Sequence, residues 1–168
     1  MAQARPRSAD EQRAWRAFLG ATKHVFEQLD RQLQHDAGMP LAYYDILVQL
    51  SEAPDRTLRM SELARRSRSS RSRLSHAIDR LEQAGWVARE RCPTDRRGYF
   101  ATLTDEGFAQ LAAAAPGHVE AVRSVLFDPL SPQHVACLRA ICERVLDQAG
   151  EQPAASGSAA TTLPAVGE

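Results

Sequence analysis

The sequence predicts a mainly α-helical protein with a small β-wing, and two observations support this fold class. Over most of the chain, apolar residues recur at three- and four-residue steps, which is typical of amphipathic helices. Residues 86–92 and 99–103 alternate in polarity instead, as short strands do, and the polar sequence Pro-Thr-Asp-Arg-Arg-Gly (93–98) joins them. With 168 residues, the chain is long enough for one domain with one hydrophobic core, which a partner subunit could complete.

Two helices are predicted ahead of the strands. Ser8 can cap the first helix in a capping box with Glu11, and Gly38 ends it. The apolar stripe of this long helix contains Trp15, Phe18, Leu19, Thr22, Val25, Phe26, Leu29 and Leu33. Pro40 is expected to be the first residue of the second helix, which ends at Pro54.

A short extended piece, two helices and the two strands follow one another between residues 57 and 103. The extended piece covers 57–59 and the first helix covers 61–66, whereas the second helix follows a turn at 67–69 and ends at Gly85. The core-facing residues of the second helix are Leu74, Ala77, Ile78 and Leu81. Its opposite face carries Ser72, His76, Asp79 and Gln83, flanked by Arg73, Ser75 and Arg80. This order of elements is typical of a winged helix-turn-helix, with an ordinary β-hairpin as the alternative to a wing.

Two further helices are predicted after the strands. Thr104 can cap the first of them, which continues to about Phe127 with a bend at Pro116–Gly117. Ser131–Pro132 begins the last helix, because a cap residue followed by proline is a common helix start. Its apolar stripe contains Val135, Leu138, Ile141 and Val145.

The charges of the chain are divided unevenly, although 21 basic and 21 acidic residues balance over its whole length. Between Arg56 and Tyr99 there are 12 arginines and 5 acidic residues, a net charge of +7, so the remainder carries −7. A local excess of this kind is typical of a surface that binds a polyanion. A solvated basic face without a partner is the alternative, and the winged helix-turn-helix order favours DNA.

The composition excludes several other classes of protein. No apolar segment approaches the roughly 18 residues that a membrane helix needs, and the charged N-terminus does not resemble a signal peptide, so a soluble protein is expected. The three cysteines, Cys92, Cys137 and Cys142, lack metal-site spacing and are expected to be small buried hydrophobes. The five histidines are scattered and no phosphate-binding loop accompanies them, so catalysis, a metal and a cofactor are not expected.

Candidate DNA contacts come from the start and the outer face of the second helix of the module and from the tip of the wing. Short serines let the backbone approach phosphates, and arginine can pair with the O6 and N7 atoms of guanine. These candidates are Ser69, Ser70, Arg71, Ser72, Arg73, Ser75, His76, Arg80, Arg96 and Arg97. Asp95 is expected to orient the wing by restraining one of its arginines. Asp79 and Glu82 are less compatible with DNA, so the end of the helix is expected to tip away from it.

Five segments of the chain together resemble the MarR family of bacterial transcriptional regulators. The matching segments are Met60–Ala64, Ser72–Ser75, Asp79–Val87, Asp95–Gly98 and Leu103–Gly107. The resemblance implies a homodimer that presents two winged helices to successive major grooves of a pseudopalindromic operator. It also implies that a small ligand, often an aromatic acid or phenol, binds between the dimerisation and DNA-binding parts and weakens DNA binding. We expect a cytoplasmic repressor that is associated with the nucleoid when it is bound to DNA. His76 departs from the pattern, since many members carry arginine there, which puts the strength of that contact in doubt.

With this resemblance, the chain is divided into four parts. Residues 1–38 and 105–149 are expected to form the dimerisation region, 39–104 the DNA-binding domain, and 150–168 a disordered tail. Dimer contacts are expected at Leu138, Ile141 and Val145. Candidate ligand-binding residues are Trp15, Phe18, His24, Tyr43, Tyr44 and Asp45. Oxidation sensing is disfavoured, because peroxide-sensing members carry a cysteine in the first helix and this chain has none there.

Two alternatives stay open from the sequence. The protein could bind DNA constitutively, without responding to any ligand. It could also be a helical dimerisation module whose winged helix binds another protein.

Overall fold

A computed structural model of the chain describes residues 6–92, 95 and 98–148. The chain divides into two compact units, Met1–Ala121 and Val122–Glu168. The elements are α1 (Ala9–Ala37), α2 (Leu41–Ser51), β1 (Thr57–Arg59), α3 (Met60–Arg66), α4 (Arg71–Gln83), β2 (Val87–Arg91), β3 (Tyr99–Leu103), α5 (Asp105–Val122) and α6 (Pro132–Gln148). The predicted fold class is confirmed. The segments 93–94, 96–97 and 149–168 lie outside the described residues. The predicted wing contacts Arg96 and Arg97 and the predicted tail belong to these segments.

Helix α1 begins as its sequence predicts. The backbone N–H of Glu11 donates to Ser8 Oγ at 3.1 Å, and the Ser8 N–H donates to Glu11 Oε2 at 2.7 Å, which completes the capping box. Gly38 closes the helix in the left-handed conformation, with φ at 64°. Both predicted ends of the helix are therefore confirmed.

Helix α2 begins one residue later than predicted, because Pro40 is extended and precedes the helix. The proline carbonyl accepts hydrogen bonds from the N–H groups of Tyr43 and Tyr44. The first helical N–H, that of Leu41, donates to the carboxylate of Asp30 on α1 at 2.9 Å. A side chain of one helix thus supplies the N-terminal cap of the next, which local sequence rules do not predict.

The hydrophobic core of the first unit lies between α1, α2, α3, α4, α5 and the sheet. Its largest fully buried side chains are Leu33, Met39, Leu47, Leu50, Leu63, Leu74, Ile78, Leu81 and Val87. All four core-facing residues predicted on α4 are buried, so the predicted orientation of that helix is confirmed.

The strands form one three-stranded antiparallel sheet in the order β1-β3-β2. The hairpin β2–β3 is the predicted one, except that its first strand covers residues 87–91 instead of 86–92. Strand β1 joins its other side, with Leu58 opposite Ala101, and the hydroxyls of Thr57 and Thr102 lie 2.9 Å apart across the pair. The sequence predicted the extended piece but not its partner.

A compact junction connects α4, the hairpin and α5. Gly85 adopts a φ of 76° after α4, as expected of a left-handed cap. The Thr104 hydroxyl donates to the Gly85 carbonyl at 2.7 Å and accepts from the Gly107 N–H at 3.0 Å, so the predicted cap of α5 is confirmed. Gly107 lies so close to the chain that an added Cβ would stand 2.1 Å from the Trp86 carbonyl oxygen.

Helix α5 passes through Pro116, and its last residue, Val122, is the first residue of the second unit. A π-helical turn covers Arg123–Phe127, and α6 then begins at Pro132, where Ser131 Oγ accepts from the His134 N–H at 3.2 Å. The predicted end near Phe127 and the predicted start of the last helix agree with these bounds. Among the described residues, none of the helices combines the length and the apolar character of a membrane span.

The prediction that all three cysteines are buried is wrong for two of them. Cys92 is buried at the end of β2, whereas Cys137 and Cys142 are exposed on α6. The reason is that α6 has no buried residue, so neither of its faces shields a small side chain.

We predict that Gly107→Ala destabilises the fold by about 3 kcal/mol, because the methyl group must push against the Trp86 carbonyl. The matched control is Gly20→Ala within α1, where an added Cβ meets nothing within 4 Å. That control should stabilise the fold by roughly 0.5–1 kcal/mol through helix propensity. Urea unfolding measures both, and equal stability of the two variants would refute the close approach.

Candidate nucleic-acid interface

Helices α3 and α4 are joined by a tight turn that brings α4 to the surface. The Ser67 hydroxyl donates to the Leu63 carbonyl at 2.8 Å, and Arg68 then takes a left-handed φ of 48°. The Ser69 N–H returns to the Ala64 carbonyl at 3.0 Å. Ser70 caps α4, since its hydroxyl accepts from the Arg73 N–H at 3.3 Å.

One face of α4 is buried and the opposite face is open to solvent. The helix packs on α2, α3 and β2 through its apolar stripe. Exposed side chains at its start and on its outer face are Ser70, Arg71, Ser72, Arg73, His76 and Arg80, and Ser69 and Ser75 are half-buried. Exposed arginines and short serines at the positive end of a helix, such as Arg71, Ser72 and Arg73, are suited to contact a phosphate backbone and base edges.

Glu62 on α3 is neutralised by its own helix. Its carboxylate accepts hydrogen bonds from Arg65 and from Arg66, at 2.6 Å and 2.8 Å for the same oxygen. These bonds, the Arg65 bond foremost, lower the pKa of Glu62 to about 2. The carboxylate is therefore ionised at every physiological pH, and two arginines of the same helix offset its negative charge.

Asp79 and Glu82, the two acids near the end of α4, are paired with a strand. The guanidinium of Arg89 on β2 lies 2.8 Å from Asp79 Oδ1 and 3.0 Å from Glu82 Oε2. Sequence reasoning missed this arginine as a partner. The two acids are three positions apart on one helical face, which was a signal that a single cation could hold both.

The base of the wing and the start of α4 enclose a cavity of about 360 Å³. Arginines from three elements line it, namely Arg59, Arg71 and Arg89. Beside it, a guanidinium nitrogen of Arg59 lies 3.1 Å from Cys92 Sγ. Asp95 lines the same cavity, so its wall carries three guanidinium groups and one carboxylate, and Arg89 is already paired with the acids of α4. Asp95, the residue predicted to orient the wing, accepts the Gly98 N–H through its carbonyl at 2.9 Å in the turn.

A second cavity, of about 880 Å³, lies between α2 and the outer face of α4. Tyr43 and Asp45 line it from α2, opposite Arg73, His76 and Arg80. Burial raises the pKa of the Asp45 carboxyl. Two of the six predicted ligand residues therefore lie beside candidate DNA contacts.

The other four predicted ligand residues lie apart from this cavity. Trp15 and Phe18 stack on each other with their centroids 6.2 Å apart, and both are exposed on α1, as is His24. Tyr44 belongs to the core and packs on the His118 ring at 4.4 Å. Burial raises the pKa of Tyr44 and lowers that of His118, so both rings are neutral near pH 7.

Comparison with known sequences agrees with the winged helix-turn-helix fold described above. A model of the MarR family matches residues 37–98. The HTH-type transcriptional regulator PecS of Dickeya dadantii (strain 3937) is 45% identical over 74 residues, 44% of each chain. The HTH-type transcriptional repressor YetL of Bacillus subtilis (strain 168) is 33% identical over 105 residues, 61% of this chain and 63% of YetL. The matches thus span about half of these curated relatives.

A solved structure extends the likeness to most of the chain. Sco3205, a MarR family transcriptional regulator from Streptomyces coelicolor whose crystal structure is a complex with DNA, is 51% identical to this chain. The similarity covers 90% of this chain and 94% of Sco3205, with a TM-score of 0.82. On this evidence, the chain belongs to the MarR family of winged helix-turn-helix transcriptional regulators.

Proposed function

We propose that the protein is a transcriptional repressor that binds a pseudopalindromic DNA operator as a homodimer. The observation that carries this proposal is the exposed arginine and serine face of α4, held outward by the burial of the opposite face. The DNA complex of Sco3205 supports DNA as the partner, and the name of YetL supports repression. The proposed site has the chemistry of DNA recognition rather than of catalysis.

Helix α4 is the proposed reading helix, and its start approaches the phosphates. The Ser70 cap leaves the positive end of the helix dipole at the surface, where it attracts an anion. Arg73, one turn further, is long enough to form paired hydrogen bonds with guanine O6 and N7 in the major groove. Arg71 lies on the cavity between α4 and the wing, where it can hold a phosphate.

The dimer is proposed from apolar side chains that each unit leaves exposed. On α1 of the first unit these are Trp15, Phe18, Leu19 and Phe26. On α6 of the second unit, Ile141 is 62% exposed and Val145 is 65% exposed. Exposed apolar rows of this size on two helices are typical of a protein interface. A second copy of the chain would bury the apolar side chains of both rows. Two linked reading helices also fit a symmetric operator.

Release by a small aromatic anion is the second proposed function, and the 880 Å³ cavity favours it. Its size falls in the range of small-molecule sites. A ligand there would stack on Tyr43 and pair with Arg73 or Arg80, which are candidate DNA contacts. Ligand and DNA would therefore compete for the same arginines, and repression would end.

We predict that Arg73→Ala relaxes base preference at one operator position, because a lost arginine–guanine pair costs about 1–3 kcal/mol there. Arg97→Ala, which removes a wing contact predicted from sequence and outside the described residues, should weaken binding to all DNAs alike and flatten the salt dependence. Arg13→Ala on α1 is the control. Fluorescence anisotropy with operator and scrambled DNA measures each. Wild-type affinity in both Arg73 and Arg97 variants would refute the interface.

We predict that Val145→Arg dissociates the dimer and abolishes operator binding, because the new charge would be buried against the partner. Gln133→Arg, at an exposed polar position of the same helix, adds the same charge and should leave the dimer intact. Light scattering gives the mass of each. A monomeric wild-type protein would disprove the assembly.

We predict that salicylate, as a probe of the proposed ligand class, lowers operator affinity about 5- to 150-fold at saturation. Linkage requires that operator DNA lower salicylate affinity by the same factor. Titration calorimetry with and without operator measures both directions, and Tyr43→Ala should weaken salicylate binding. Undiminished DNA binding across a panel of phenols, aromatic acids and purines would favour a constitutive DNA-binding protein.

The alternative of a protein-binding winged helix makes a different prediction about salt. DNA binding through arginines must weaken steeply as salt rises, because bound counterions are released on association. Docking of a protein on an apolar surface would show little salt dependence. A salt series on the binding of purified protein to its own upstream DNA, with footprinting, separates the two.

A further inference from the structure

Arg89 occupies a position between the reading helix and the wing. It lies on β2, opposite Ala101 of β3, and its side chain is 30% exposed. Its two terminal nitrogens form ion pairs with different carboxylates, Nη1 with Asp79 and Nη2 with Glu82. The guanidinium also lies 5.7 Å from the centre of the Tyr99 ring. Two ion pairs thus hold this side chain against α4, and the Tyr99 ring of β3 lies beside it.

The two acids need this cation if α4 is to approach DNA. Asp79 and Glu82 lie on the last turns of a helix whose first turns carry the candidate base contacts. Two unpaired carboxylates next to a phosphate backbone would repel it. A single guanidinium shared between them removes half of that charge and directs both oxygens toward the sheet.

The same pairs also restrain the angle between α4 and the hairpin. The covalent connection is only the segment 84–86, which contains Gly85 at a positive φ. Arg89 adds a direct link from β2 to α4, separate from the contacts of the Gly85 junction. A fork that spans two acids on one helical face resists rotation of the helix better than a single ion pair does.

We propose that Arg89 is a positioning residue for DNA recognition, which acts through Asp79 and Glu82 rather than by touching DNA. The inference rests on the proposed function. The competing role is a direct phosphate contact, since Arg89 also lines the 360 Å³ cavity with Arg59 and Arg71. The two roles differ in the effect of an Arg89 substitution on operator affinity once both acids are neutral. A positioning residue then has little effect, whereas a direct contact is still lost.

A mutant cycle separates these roles. Arg89→Met keeps the length of the side chain and removes its charge, and it should weaken operator binding on the order of tenfold. In a background of Asp79→Asn and Glu82→Gln, the same substitution should change affinity by less than about threefold. Arg89→Lys, which keeps the charge but loses the fork, should fall between wild type and Arg89→Met. Thermal unfolding confirms that each variant is folded at the assay temperature.

Arg91→Met is the matched control. Arg91 lies two residues along the same strand, on the same face, and is exposed near the same Tyr99 ring. Its substitution should have the same effect in both backgrounds, because no ion pair joins Arg91 to α4 among the residues that the structure describes.

The outcomes decide between the proposals. An equal loss from Arg89→Met in both backgrounds would assign a direct DNA contact and overturn the inference, while leaving the proposed function standing. A wild-type affinity for Arg89→Met in the natural background would overturn it as well. If the wild-type protein bound no DNA in the footprint assay, the proposed function would fall and the inference with it.

Discussion

Burial of the apolar stripe of α4 is the constraint on which the proposed interface depends. Leu74, Ile78 and Leu81 are almost entirely inaccessible, and a residue at any of these positions cannot turn outward without opening a cavity in the core. Because the helix has a fixed period, this burial determines which side chains point to solvent. The arginines and serines of the outer face are therefore oriented by the leucines and isoleucine of the inner face.

The junction after α4 transmits this orientation to the rest of the unit. The Gly85 turn, the Thr104 hydroxyl and the close approach of Gly107 to Trp86 fix the hairpin and the start of α5 against the end of α4. These contacts are short and involve backbone atoms, so side-chain rearrangement cannot absorb a displacement. The end of α4, the strands of the hairpin and the start of α5 are therefore joined by backbone contacts at one place.

Features that depend on neighbouring residues in sequence were predictable. The capping box at Ser8, the left-handed Gly85 and the stripe of α4 follow from local geometry and the helical period, and the structure confirms each. The DNA-contact assignments are still predictions, since exposure of Arg73 permits a contact without demonstrating one.

Contacts between distant residues were not predictable. Strand β1 pairs with β3 although more than 40 residues separate them in sequence. Arg89 lies close to Asp79 and Glu82 only because the Gly85 turn folds β2 back along α4. The two exposed cysteines of α6 show the same limit, because an amphipathic stripe predicts a buried face without specifying which molecule buries it.

The Asp30 carboxylate at the start of α2 has a consequence for how the chain folds. Helix α2 has 11 residues, whereas an isolated helix shorter than roughly 12–15 residues is marginal in water. Its first N–H group is satisfied only while α1 is docked beside it. The first turn of α2 therefore gains part of its order from the helix that precedes it, so that local fraying of α1 at Asp30 would weaken the start of α2.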